Sequence, residues 1–353
     1  MHRQWLLRTL ELAQASKGFC APNPAVGAIV VKNKQEISNA RHIKAGDSHA
    51  EFMALRKLDY PITDATLYIS LEPCSHWGKT PPCTEEIIKS GIKNVIFAFN
   101  DPNPLISDFG TIDYLRANGV KCEHVPLVEI DEFYRSYQYW TKTGFPFVTV
   151  KIAQSLDGKI AEHNNHTIEL TGNELKQFTF LNREKADGIL TTSNTIIADN
   201  PLLNVRYDGE EVVFKPIALL DSALQVGSDA KIYNSLTKKI VFHSVENANT
   251  ITDSIEYVKV AKDKSGLNLK KSLAYLGEQG WHDLWVEAGG KLFTSLLKEK
   301  LINELYIYIS PCWLGTTAVN AFTSDKCFWK NDFELVDSKL MGQDILVKMK
   351  AIN

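Results

Sequence analysis

The chain has 353 residues with 39 basic and 42 acidic side chains, and its formal net charge of −3 offers no basic footprint for nucleic acid. That length suits two domains with cores of their own, and 44% apolar with 23% charged residues is ordinary for a water-soluble globular protein. No apolar run reaches membrane-spanning length, and six cysteines in so long a chain make no disulfide framework, so the cytoplasm is the expected location.

Residues 1–15 carry Arg3, Arg8 and Glu11 among leucines and read as an amphipathic helix rather than a signal peptide. A strand over 26–32 follows, then a helix over 50–58 with Phe52, Leu55 and Leu58 on one face and His49 in its first turn. The alternating stretch 66–71 reads as a buried strand that delivers Glu72-Pro73-Cys74 into a loop. Cys83 opens a second helix, which stops at Gly91. Further along, 93–99 and 120–125 are expected strands, 111–117 a helix, and 128–141 a closing helix. The tyrosines 134, 137 and 139 and Trp140 on that last helix read as packing residues, not as a base-stacking platform. Alternation of this kind predicts a central sheet flanked by helices.

Thr143-Gly144-Phe145-Pro146 is short and carries both breakers, which divides the chain into domains over 1–143 and 144–353. In the second half strands are expected over 147–153, 188–191, 217–220, 239–242, 283–286 and 304–309, with helices between several of them. A hairpin over 333–339 and 344–349, turned by Gly342, ends the chain.

The residues with most chemical content are His49, Glu51, Cys74 and Cys83. One imidazole and two thiolates can hold Zn²⁺ and leave a fourth position for water, whose pKa the metal lowers toward neutrality. Glu51, two residues past the histidine, is then free to carry a proton to a leaving amine, which is the H-x-E…P-C…C pattern of zinc deaminases. Helix N-termini carry partial positive charge and favour thiolate over thiol, which suits this placement. The two cysteines are separated by eight residues rather than the common two. A structural zinc site is the competing reading, and His76 as a fourth ligand would close the coordination sphere.

The motifs Pro22-Asn23-Pro24-Ala25-Val26-Gly27, His49-Ala50-Glu51, Leu71-Glu72-Pro73-Cys74-Ser75-His76, Gly78-Lys79-Thr80-Pro81-Pro82-Cys83 and Asp101-Pro102-Asn103-Pro104 together resemble the bifunctional deaminase/reductase family of riboflavin biosynthesis. The long spacer between the cysteines is that family's variant. The resemblance implies a cytidine-deaminase-like α/β/α sandwich that removes an amine from a diaminohydroxy-phosphoribosylamino-pyrimidine. It implies His49, Cys74 and Cys83 as ligands of one Zn²⁺, Glu51 as proton shuttle, and Asn23, His42 and Lys79 as substrate contacts. The competing readings are a turn residue for Asn23 and a surface histidine for His42.

From Phe147 onward the resemblance is to the family's reductase domain, an α/β domain of dihydrofolate-reductase-like fold that uses NADPH. It rests on Lys151-Ile152-Ala153, Ser155-Leu156-Asp157-Gly158-Lys159, Thr171-Gly172, Ala186-Asp187, Thr195, Ala198-Asp199-Asn200-Pro201, Arg206 and Glu287-Ala288-Gly289-Gly290. It implies that Ala153, Thr195, Asp199, Gly289 and Gly290 line the NADPH site. It also implies that Lys151, Thr167, Arg183, Leu203, Arg206 and Glu287 hold the phosphoribosylated substrate, with Arg183 and Arg206 as a phosphate clamp. Gly289-Gly290 follows a strand and opens a helix, an arrangement that offers bare N–H groups to a phosphate. Glu169 stands where the family has tryptophan, and Thr191-Thr192 stand where it has Val-Gly. A deaminase whose second domain no longer binds NADPH is therefore the alternative. Family members are commonly homo-oligomers, and neither nucleic acid nor a membrane is an expected partner.

Overall fold

The computed structural model describes residues 2–75, 82–104, 110–162, 168–246, 254–263, 266–287, 289–324 and 332–352. The chain divides into two compact units, Met1–Gly144 and Phe145–Asn353. Among the described residues no helix is long and apolar enough to cross a membrane.

In the first unit α1 (His2–Gln14) precedes β1 (Gly27–Lys32) and β2 (Gln35–Arg41). Then come α2 (Ala50–Leu55), β3 (Ala65–Ile69), α3 (Cys83–Ser90), β4 (Asn94–Phe97), α4 (Thr111–Ala117), β5 (Lys121–His124) and α5 (Val128–Thr143). The strand order is β2-β1-β3-β4-β5. The strands β3, β4 and β5 run parallel, whereas β1 is antiparallel to both of its neighbours. Period-two alternation divides the side chains between two cores. Ala28, Val30, Leu67, Ile69, Val95 and Phe97 pack with Ala54, Leu55, Ile87 and Leu115 of α2, α3 and α4. Ile29, Val31, Tyr68 and Ile96 pack with Leu6, Leu10, Ile130 and Tyr134 of α1 and α5.

Strand β2 was not anticipated from the sequence. Its residues are mostly polar because it is the sheet edge, and only Ser38 and Ala40 are buried. Asn33 and Lys34, at φ 51° and 62°, make the two-residue turn that returns the chain as a hairpin. The expected βα alternation is therefore interrupted by the β1–β2 hairpin, and parallel pairing begins only at β3. Helix α2 ends at Leu55 rather than at Leu58, although Leu58 still packs on the same core.

The second unit is built on a nine-stranded sheet. Its strands are β6 (Phe147–Ser155), β8 (Gly188–Thr192), β9 (Ile217–Leu220), β10 (Lys239–His243), β11 (Ile255–Lys259), β14 (Asp283–Glu287), β15 (Glu304–Ser310), β17 (Phe333–Met341) and β18 (Asp344–Ala351). Short ladders outside it involve β7 (Lys159–Ala161), β12 (Lys262–Asp263), β13 (Gly266–Leu267) and β16 (Val319–Asn320). The order is β11-β10-β9-β8-β14-β6-β15-β18-β17, parallel as far as β15 and antiparallel beyond. Helices α6 (Asn173–Lys185) and α7 (Ser193–Asp199) share one apolar cluster with the sheet. Helices α8 (Leu269–Glu278) and α9 (Gly290–Lys298) share the other. In an open parallel sheet of this kind, ligands bind beyond the carboxyl ends of the strands.

Candidate active sites

Helix starts and one loop create the first site. His49 is the N-cap of α2, Cys83 is the first residue of α3, and Cys74 lies in the loop after β3. One donor atom from each of the three falls within 4.8 Å of the other two. The His49 Nδ1 atom is 3.2 Å from Cys83 Sγ and 3.4 Å from Cys74 Sγ. The Cys83 backbone N–H, at the open end of α3, donates to Cys74 Sγ at 3.3 Å. Cys74 and Cys83 are buried, at 7% and 2% exposure.

The electrostatics fit a divalent cation. Hydrogen bonding from the Cys83 thiol, then from His49, holds the Cys74 thiol down at about 4. Contact with Cys74 in turn raises His49 to about 9, against the opposing effect of burial. Cys83 faces the Cys74 sulfur in full burial and is pushed far up. Two soft sulfurs and an imidazole in competition for protons are the donor set that Zn²⁺ satisfies by replacing those protons. Glu51, in the first turn of α2 and 4% exposed, has its pKa raised by burial, with His49 opposing.

These groups open onto a cavity of about 370 Å³ whose wall includes Asn23, His42, Asp101, Asn103, Tyr137 and Trp140. His42 is 2% exposed, so the surface-histidine reading is wrong. Its Nδ1 lies 3.3 Å from the Ser48 carbonyl, which accepts only, so Nδ1 carries the proton in the neutral ring. Nε2 is then the acceptor for the Asn23 amide at 3.2 Å, which leaves Asn23 Oδ1 available to a ring N–H. Lys79, and the competing ligand His76, lie outside the described residues.

Sequence reasoning gave Tyr137 and Trp140 only a packing role, whereas both also line this cavity. Asp101 and Asn103 were quoted as part of a motif and given no task. The Tyr137 hydroxyl donates to Asp101 Oδ1 at 3.0 Å, as does the Asn103 backbone N–H at 2.9 Å. Burial pushes the Asp101 carboxyl up to about 6.

The second constellation lies where the carboxyl end of β14 meets the middle of β6. Lys151 and Glu287 are paired residues of those adjacent strands. Arg183, in the last turn of α6, donates from Nε and Nη2 to the two Glu287 oxygens at 2.6 and 3.0 Å, and the Trp285 indole donates to Glu287 Oε1 at 2.8 Å. Burial alone would raise the Glu287 pKa. The Arg183 guanidinium, then Lys151 and the indole, overcome it and hold the carboxyl down at about 2. Burial lowers the pKa of Lys151, whose ammonium stands 5.2 Å over the Tyr308 ring and feels the charges of Glu287 and Asp199.

The expected phosphate clamp is therefore asymmetric. Arg183 directs three of its donors at Glu287 and the Asn204 carbonyl, whereas Arg206 is exposed and bonded to the Asn204 side chain. Leu203 turns its side chain into the core, so its backbone at φ 49° is the distinctive feature there. Thr167 lies outside the described residues.

Ala153, on β6, packs against that same core, and Thr195 and Asp199 lie on α7. Gly289 is the N-cap of α9. Gly290 answers first to packing, because a Cβ there would stand 2.6 Å from the carbonyl oxygens of Asn320 and Ala321. The two departures that cast doubt on this half have local tasks. Thr192 caps α7 by accepting from the Thr195 N–H at 3.4 Å, and Glu169 pairs with Lys176 at 3.0 Å.

Comparison with known proteins agrees with both halves. Residues 1–99 match the cytidine and deoxycytidylate deaminase zinc-binding region, and residues 146–347 match the RibD C-terminal domain. The riboflavin biosynthesis protein RibD of Aquifex aeolicus is 37% identical over 322 residues, which covers 89% of this chain and 88% of that protein. The Escherichia coli protein of the same name is 32% identical over 98% of both chains. Among solved structures, Acinetobacter baumannii RibD superposes with a TM-score of 0.89 at 30% identity, covering 100% of this chain and 99% of that one. A Thermotoga maritima diaminohydroxyphosphoribosylaminopyrimidine deaminase/5-amino-6-(5-phosphoribosylamino)uracil reductase superposes at 0.87 with 29% identity and 99% coverage of both. A zinc-type deaminase domain followed by a RibD reductase domain, with relatives this similar along nearly the whole chain, places the protein in the RibD family of bifunctional riboflavin-biosynthesis deaminase/reductases.

Proposed function

We propose that the first unit hydrolytically deaminates a diaminohydroxy-phosphoribosylamino-pyrimidine and that the second reduces the ribosyl group of the product with NADPH. The observation that carries the first assignment is the His49, Cys74 and Cys83 cluster beside buried Glu51, open onto a cavity large enough for a heterocycle. Zinc held by those three donors supplies Lewis-acid activation of water near neutral pH. Glu51, whose burial raises its pKa and so makes its carboxylate a stronger base, takes a proton from the attacking water and returns it to the departing amine. Asn23 Oδ1 and the His42 ring read the pyrimidine edge, and Lys79 meets the phosphoribosyl end.

In the second unit NADPH supplies a hydride to C1′ of the ring-opened sugar. Lys151, Arg183, Leu203, Arg206, Glu287 and Thr167 surround the substrate. Ala153, Thr195, Asp199, Gly289 and Gly290 face the cofactor, with α9 directing its N-terminus at a phosphate. The Arg183–Glu287 pair fixes the floor of the site, while Lys151 and Arg206 bring positive charge to the substrate. Incubation with the phosphoribosylamino-pyrimidine, with and without NADPH, tests both halves. Ammonia release in both arms and cofactor oxidation in one is expected. Cofactor oxidation absent even with the deaminated substrate would leave a deaminase alone.

The working form is a homo-oligomer in the cytoplasm, with no nucleic-acid or membrane partner. Edge strand β17 presents Leu335 and Leu340 to solvent at 62% and 74% exposure, which favours a further copy of the chain at that edge. A monomer by light scattering at micromolar concentration would refute the assembly.

A further inference from the structure

The two arginines of the second site are joined through one residue that has no role so far. Asn204 is 3% exposed, and both of its carbonyl groups are in use. Its backbone oxygen accepts from Arg183 Nη1 at 2.8 Å, and its side-chain Oδ1 accepts from Arg206 Nη1 at 3.0 Å. Arginine only donates, so the amide oxygen rather than the amide nitrogen must face Arg206. The same two guanidinium groups flank a single ring, with Arg183 Cζ at 5.8 Å and Arg206 Cζ at 5.7 Å from the centroid of Phe180. Phe180 is 4% exposed and cannot readily move.

The backbone is bent to make this possible. Leu203, immediately before Asn204, stands at φ 49° with its side chain in the core, a left-handed conformation that a residue with a Cβ rarely adopts. Val205, immediately after, is clamped to Val213 by a reciprocal pair of backbone hydrogen bonds at 2.8 and 3.0 Å. The kink and the clamp fix Asn204 between them, with one oxygen on each arginine.

We propose that Asn204 is a positioning residue of the reductase site. It ties the exposed guanidinium of Arg206 to the buried Arg183–Glu287 pair, so that the phosphate of the substrate meets a cation already held in place. The proposal rests on the reading of Arg206 as a substrate-phosphate contact. Arg183 is neutralised by Glu287, and Arg206 has no carboxylate partner among the described ion pairs, so of the two arginines it is Arg206 that offers an uncompensated charge, beside that of Lys151. A mobile arginine would have to be ordered at each binding event, a cost that the Asn204 and Phe180 contacts remove beforehand.

The test uses the full chain with NADPH and 5-amino-6-(5-phosphoribosylamino)uracil. Asn204→Ala is expected to raise KM for that substrate on the order of tenfold, with kcat within about twofold. Arg206→Ala should raise KM at least as much, and the double variant should be no worse than Arg206→Ala within about twofold. Asn204→Asp keeps the acceptor but neutralises Arg206, so its KM should rise at least as far as that of the alanine variant. Ammonia release by the first unit and the urea midpoint of the second report on folding. An Asn204→Ala variant with wild-type KM, or a double variant whose effects multiply, overturns the proposal. Should Asn204→Ala prove misfolded, Asn204→Asp decides alone, and a wild-type KM there overturns it. Wild-type protein that oxidises no NADPH with this substrate would instead refute the reductase reading itself, and the proposal with it.

Discussion

Replacing Glu287 with glutamine keeps the shape of the side chain and removes its charge. The carboxylate receives two charge-assisted bonds from Arg183, at 2.6 and 3.0 Å, and one from the Trp285 indole at 2.8 Å. A glutamine amide can accept only on one side, so its NH₂ would confront one of these donors, and Arg183 would be left buried without a counter-charge. Loss of one partner from a buried pair costs about 3–5 kcal/mol. The depressed pKa leads to a similar figure, since a carboxyl moved from 4.5 to about 2 on folding contributes roughly 3 kcal/mol at neutral pH. The sign follows from the depressed folded value. The contribution is fully present above 4.5 and is lost as pH falls toward 2, because the unfolded chain takes up the proton first. Urea unfolding followed by circular dichroism should therefore place the variant about 3 kcal/mol below wild type at pH 7. The gap should narrow by about 1.4 kcal/mol for each pH step below 4.5. The first unit, which contains neither partner, serves as the internal reference. A loss under about 1 kcal/mol at neutral pH, or a gap indifferent to acid, would show that the pair is not what stabilises this end of the sheet.

Glu51→Gln should slow ammonia release by about 100-fold or more while zinc content by atomic absorption stays at wild type, and retained turnover would exclude Glu51 as the proton carrier. Removal of zinc with a chelator should stop ammonia release yet leave NADPH oxidation with already deaminated substrate intact; loss of both would contradict two separate chemistries. Gly290→Ala puts a Cβ 2.6 Å from the Asn320 and Ala321 carbonyl oxygens, so a stability loss of about 1–3 kcal/mol and weaker NADPH binding by calorimetry are expected. Wild-type stability in that variant would mean that the chain at 320–321 yields easily.

The first site was legible because its chemistry is compressed into short motifs that begin helices. His49 caps α2, Glu51 lies in its first turn and Cys83 opens α3, so sequence position and spatial position coincide there. Residues whose role depends on partners distant in the chain were not legible. Tyr137 reads as a core aromatic on α5 until Asp101 is found beneath its hydroxyl. Asn204 reads as an ordinary loop asparagine until Arg183, 21 positions away, is found on its carbonyl. Arg183 also pairs with Glu287, 104 positions on, and nothing nearby in the chain announces that partner. Two of the four edge strands of the large sheets, β2 and β11, were missed for another reason. Their residues are mostly polar and exposed or only half-buried and lack the apolar signature of the central strands.

Trp285 is 2% exposed and donates its indole N–H to the same carboxylate oxygen that Arg183 Nε holds. The emission of a buried indole shifts with the charge beside its N–H. Ligand that perturbs Glu287 would thus change the intrinsic fluorescence of the protein without any added dye, and occupancy of the second site could be followed optically during turnover.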